Sequence, residues 1–174
     1  MKKIALLSYI IICINSLNAF AQNSAGTNLN IQLNSIQSIR INEAQSDVTI
    51  ALNTASEYIN GKSTNQPDHI QIMSSSNYEI KVSAASNLIG ESSTIDIGSV
   101  MITPTLGSIG GPTEGTIQLN PVALSTGEST IVQSTHGDIQ RSFNVKYRVS
   151  GGTEYLNKPI GTYSTLVTYT ILAP

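Results

Sequence analysis

The chain of 174 residues has one cysteine, no tryptophan, two histidines and few charges, with charged residues making up 11%. Each scarcity removes a class of function. Cys13 stands inside an apolar run near the amino terminus, so the rest of the chain can form no disulfide and offers no thiol as nucleophile or metal ligand. His69 and His136 have no other ligand type at metal-site spacing, no EF-hand loop occurs, and no Gly-x-Ser-x-Gly elbow is present. A lone histidine in such a chain reads as a surface or loop residue, and Asp96 and Asp138, flanking apolar runs, read as turn caps. No catalytic residue, cofactor or metal ligand is therefore expected, and the chain is read as a non-enzyme. With no tryptophan, a glycan platform would fall to Tyr58 and Tyr155, the tyrosines placed in loops. The net charge of −2 is spread without blocks, which argues against nucleic acid as a partner.

What the sequence does carry begins with an export signal. Met1-Lys2-Lys3, an apolar run from Ile4 to Ile14, and Ala19-Phe20-Ala21 have the three parts of a secretory signal peptide, residues 1–21. The run is shorter than the roughly 20 residues of a membrane span, and no later stretch supplies that length. Cleavage after Ala21 leaves residues 22–174, a length that one domain can stabilise through its core alone. The expected localisation is the periplasm or the cell surface, with no membrane insertion after cleavage.

Apolar residues then recur at period two. Leu29, Ile31, Leu33, Ile39 and Ile41 share a parity across residues 26–42, with an interruption near residues 34–38. Val48, Ile50 and Leu52 predict a second strand. Residues 53–68, with Asn60-Gly61 and Pro67, read as a surface loop. Ile70 and Ile72, then Tyr78, Ile80, Val82 and Ala84, predict a hairpin with one apolar face. Residues 104–115 form a glycine- and proline-rich loop, and Ile117, Leu119 and Ile131 mark short strands around it. Ile139, Phe143, Val145, Tyr147 and Val149 form the cleanest alternation, and residues 159–174 read as one long terminal strand with Tyr163, Val167, Tyr169 and Ile171 on one face. No stretch holds helical spacing over three turns. The expected fold is all-β: a single immunoglobulin-like Greek-key sandwich of about seven to nine strands over residues 22–174, with a closed barrel as the alternative.

The terminal stretch resembles that of the pilin subunits of chaperone-usher systems and of the related spore-coat-protein-U-like exported β domains. Gly161 stands fourteenth from the end, as the glycine of the pilin motif does, and Tyr163 and Tyr169 follow it. The pattern departs at Ala173, where those subunits have tyrosine, and in the missing cysteine pair. The resemblance implies a sandwich one strand short, completed by an amino-terminal extension from another copy, and a periplasmic chaperone as a further partner. Residues 22–34, with Leu29, Ile31 and Leu33 as anchors, are either that donated strand or the domain's own first strand, the simpler of the two. The implied function is a structural subunit of a surface filament, fimbria or coat; the alternative is a monomeric exported module that binds cell-wall or extracellular glycan.

Overall fold

The computed structural model describes residues 24–111 and 115–174. The expected signal peptide with Cys13, residues 22–23, and residues 112–114 of the glycine-rich loop lie outside the described residues. The chain divides into two units, Met1–Leu33 and Asn34–Pro174. In the first, residues 24–33 form no strand, and Leu29, Ile31 and Leu33 are exposed at 84, 78 and 89%.

The second unit holds eleven strands among the described residues, more than the seven to nine expected. One antiparallel sheet runs β1 (Gln37–Ile41), β2 (Lys62–Ser74), β10 (Asp138–Val149), β6 (Val100–Leu106) and β8 (Val122–Ala123). The other runs β11 (Val167–Leu172), β3 (Tyr78–Ala84), β9 (Ser129–Ser134) and β7 (Ile117–Leu119), while β4 (Leu88–Ile89) and β5 (Thr94–Ile95) form a separate ribbon. Among the described residues both sheets have free edges, and no ladder closes them into a barrel. Ile70, Ile102, Phe143 and Val145 from the first sheet and Tyr78, Ile80, Val82 and Ile131 from the second share one buried cluster. The fold is all-β and sandwich-like, and Phe143, Val145 and Tyr147 face inward as their alternation predicts.

Where the strands depart from simple alternation, polar bonds hold the irregularity. On β10 the register shifts between Asp138 and Arg141, which turns Asp138 inward and leaves Ile139 77% exposed rather than in the inward set. Asp138 is thus buried instead of capping a turn: its Oδ1 accepts from Arg141 Nε at 2.8 Å and its Oδ2 from the Tyr78 hydroxyl at 2.8 Å, tying the two sheets together. Asp96 does cap, accepting from Gly98 N ahead of a short 3-10 turn.

Residues 53–68 are not the expected loop. Thr54 and Glu57 form a reciprocal capping box that starts helix α1 (Ala55–Asn60), and β2 begins at Lys62. The first half of β2 alternates polar side chains, Thr64 and Gln66 part-buried against Ser63 and Asn65 exposed, so no apolar period announces it.

Candidate functional site: the open margin of the sandwich

β1 and β11 are edge strands of different sheets, and they lie against one another along one margin of the sandwich. Their phase is fixed by a few bonds. Ala85 N–H donates to Leu166 O, so Leu166, Thr168, Thr170 and Leu172 turn their backbone groups toward β3. Val167, Tyr169 and Ile171 turn their N–H and C=O groups to the open side, where no described residue pairs with them. Asn42 N–H to His69 O and Ser75 N–H to Ile36 O set the same alternation on β1, leaving the groups of Gln37, Ile39 and Ile41 facing outward from the sheet edge.

The side chains of these residues are only half-covered. Val167, Tyr169, Ile171, Ile39 and Ile41 pack on the core yet remain partly exposed. The stretch 48–52, expected as a strand, belongs to no ladder, although Val48, Ile50 and Leu52 alternate half-buried with exposed Thr49 and Ala51. Val48, Ile50 and Leu52 thus cover part of the core without a ladder. The margin of β1 and β11 can accept an extended segment through backbone bonds and alternating apolar anchors.

One polar chain crosses this margin. His69 is buried, against the expectation of a surface residue, because β2 bulges: Pro67, Asp68 and His69 stand between the Gln66 and Ile70 pairings, opposite Asn144 alone. Asp68 adopts φ +48°, and its carboxylate accepts from Ser108 N, Ser108 Oγ and Ser142 Oγ, with the hydroxyl of Ser108 the largest of the influences that lower its pKa. The bulge aims the imidazole at Tyr147 and Tyr169, both edge-on to it with centroids at 5.6 and 5.9 Å.

Donor directions along the chain are determined. Gln45 Nε2 donates to Pro67 O at 2.8 Å, so Gln45 Oε1 faces His69 Nδ1 at 3.0 Å and that nitrogen carries the proton. His69 Nε2 then accepts from the Tyr147 hydroxyl at 2.9 Å, and the Tyr147 oxygen accepts from Tyr169 at 2.7 Å. Burial pushes Tyr147 up to about 12 and raises Tyr169 well above its ordinary value, so both stay protonated at neutral pH.

Burial pushes the His69 pKa down to about 4 from an ordinary 6.5. The unfolded chain therefore takes up this proton first, and the stability that neutral His69 provides is complete above pH 6.5 and lost as pH falls toward 4. The loss amounts to about 3 kcal/mol at about 1.4 kcal/mol per unit. Urea midpoints measured at pH 7.0 and 4.5 are expected to differ for the natural chain and to converge in His69→Gln. An equal difference in both would assign the pH dependence to other groups.

The expected site residues separate into two groups. Tyr169 lies on the margin. Tyr163 lies on the loop before β11, where its hydroxyl donates to Pro159 O and bonds Ser93 Oγ, both at 2.8 Å. Its ring rests over Gly90, where a Cβ would stand 2.6 Å from a ring carbon. Gly161 is exposed with open space around a Cβ, so no steric demand explains a glycine there. Gln45 and His69 were not legible as site residues. Their signal was a buried-strand period broken at His69-Ile70, which alternation alone cannot assign.

Elsewhere Ser134 Oγ lies 3.2 Å from His136 Nδ1, and His136 Nε2 lies 3.7 Å from Asp138 Oδ2. Ser134 is buried and donates to His136 O, Asp138 is held by Arg141, and the His136 side chain is part-buried. Tyr58, expected in a loop, is part-buried on α1, and Tyr155 is buried with its hydroxyl on Ser99 Oγ at 2.7 Å. The polar depression formed by Asn65, Thr103, Thr105, Asn144 and Lys146 on the outer face of the first sheet contains no aromatic ring. Comparison of the chain with protein-family models and with curated proteins finds no match.

Proposed function

We propose that the chain is an exported, non-enzymatic structural subunit of a surface filament, fimbria or coat. In this reading residues 22–34 of one copy supply the strand missing from the margin of another, and the domain is an immunoglobulin-like Greek-key sandwich one strand short. The observation that carries the reading is a match of two unsatisfied patterns. Leu29, Ile31 and Leu33 are three exposed apolar residues at period two, and Val167, Tyr169 and Ile171 present free backbone groups and half-covered side chains at the same period. Directly opposed residues of an antiparallel pair share a face, so the three anchors enter the core beside those three residues. An uncovered edge of this kind is an aggregation hazard, which gives a periplasmic chaperone its role before assembly.

The mature chain is expected to form multimers whose size grows with concentration in size-exclusion chromatography. Ile31→Asp is expected to leave a folded monomer, because a carboxylate cannot enter an apolar groove unpaired. A natural chain that stays monomeric at every concentration and refolds without help would sink the reading.

A further inference from the structure

Strand polarity and chain connectivity favour one placement of the donating copy. β1 starts at the β2–β3 turn, where Ser75 N–H donates to Ile36 O at 2.9 Å. β11 ends at the same turn, with Leu172 paired to Glu79. A strand that leads into β1 therefore reaches the margin of its own domain only by running parallel to β11, with residues 34–36 reversing the chain. On another copy it can run antiparallel to β11, like every ladder of both sheets and like the commoner pairing in proteins generally. Leu33 then lies beside the start of β11, and Ile36 follows within about 10 Å, the reach of three extended residues.

Exposed apolar residues occupy both ends that this geometry brings together. Ile36, 55% exposed, immediately precedes β1, and the outward-facing Met73 and Ile139 line one shallow depression on the first sheet beside Ser38 of β1. Beside the start of β11 stand Leu166, 69% exposed, and Ile89, whose backbone bonds Ser164 in both directions at 2.9 and 3.0 Å. We propose that the Ile36, Met73 and Ile139 patch of one copy seats on the Leu166 and Ile89 patch of the copy that accepts its strand. The inference rests on the strand donation proposed above. Because the two patches differ and lie at opposite ends, the contact is head-to-tail and repeats along a fibre rather than closing a dimer.

Leu166→Asp tests the contact, since this side chain is exposed in the monomer and its replacement spares the core. It is expected to raise the concentration needed for assembly about tenfold or more, with Ile139→Asp acting alike from the other side. In a Cys13→Ser background, copies carrying Ile36→Cys mixed with copies carrying Leu166→Cys are expected to form a mixed disulfide, while neither alone does. Normal assembly of both Asp variants with no mixed disulfide overturns the patch contact and leaves strand donation standing. Loss of all assembly in the natural chain overturns both.

Discussion

Phe143→Ala is expected to lower the unfolding free energy by about 3 to 5 kcal/mol, a large part of the 5 to 15 typical of a domain. Phe143 is wholly buried at the centre of β10, opposite Ile70 of β2 on one side and Leu106 of β6 on the other. Truncating the ring there removes transfer energy and leaves a cavity between two sheets whose backbones are fixed by their ladders. Lys146 is exposed on the other face of the same strand, between Asn65 and Thr103, and Lys146→Ala is expected to cost less than about 1 kcal/mol. Urea unfolding of the three proteins at neutral pH checks both values. Equal losses would mean that the two faces of β10 have been confused.

Arg141→Ala is expected to cost about as much, 3 to 5 kcal/mol by the usual size of a broken buried ion pair, for an electrostatic reason. Arg141 and Asp138 are both buried, and the guanidinium also donates from Nη2 to Gly111 O at 2.8 Å. Removing it leaves the Asp138 carboxylate in the interior with the Tyr78 hydroxyl as hydrogen-bond donor and His136 Nε2 at 3.7 Å, and it takes the guanidinium away from the carbonyl of Gly111. The double variant Asp138→Asn, Arg141→Gln removes both charges together and is expected to be more stable than Arg141→Ala. A double-mutant cycle gives the coupling directly. Additive losses would show that the pair contributes no more than two independent surface charges.

Residues 143 to 149 were legible because every second side chain is large, apolar and inward, which leaves only one way to lay the strand on a core. Residues 62 to 66 were not, because a strand whose inward positions are Thr64 and Gln66 has the same composition as a loop. The Thr54-x-x-Glu57 spacing was a usable sign of α1 that the strand pattern around it concealed. Bulges explain the errors at Ile139 and His69. Before Arg141 one added residue exchanges inside for outside, while at His69 two added residues, with Pro67, Asp68 and His69 opposite Asn144, turn the histidine inward beside Ile70; the sequence marks these only indirectly, through the Asp138 and Arg141 spacing or through a histidine beside an isoleucine. Alternation at Val48, Ile50 and Leu52 correctly indicated side chains that pack on the core. It could not show that the ladder partner is missing, because a strand's pattern reports what its side chains touch and not whether its backbone is paired.

The order of strands in the second sheet bears on how fast the molecule can form. Val167 pairs with Ala84, about half a chain length earlier, and β10 closes on β2 across a comparable span. The first sheet reaches its final width only when β10 is available and the second only when β11 is, and the loops that must close first are long. Folding dominated by such distant partners belongs to the millisecond-to-second range rather than to microseconds. During that delay β3 offers a bare edge, so the time before the six-residue β11 docks on it is a period in which the protein is exposed to misassociation.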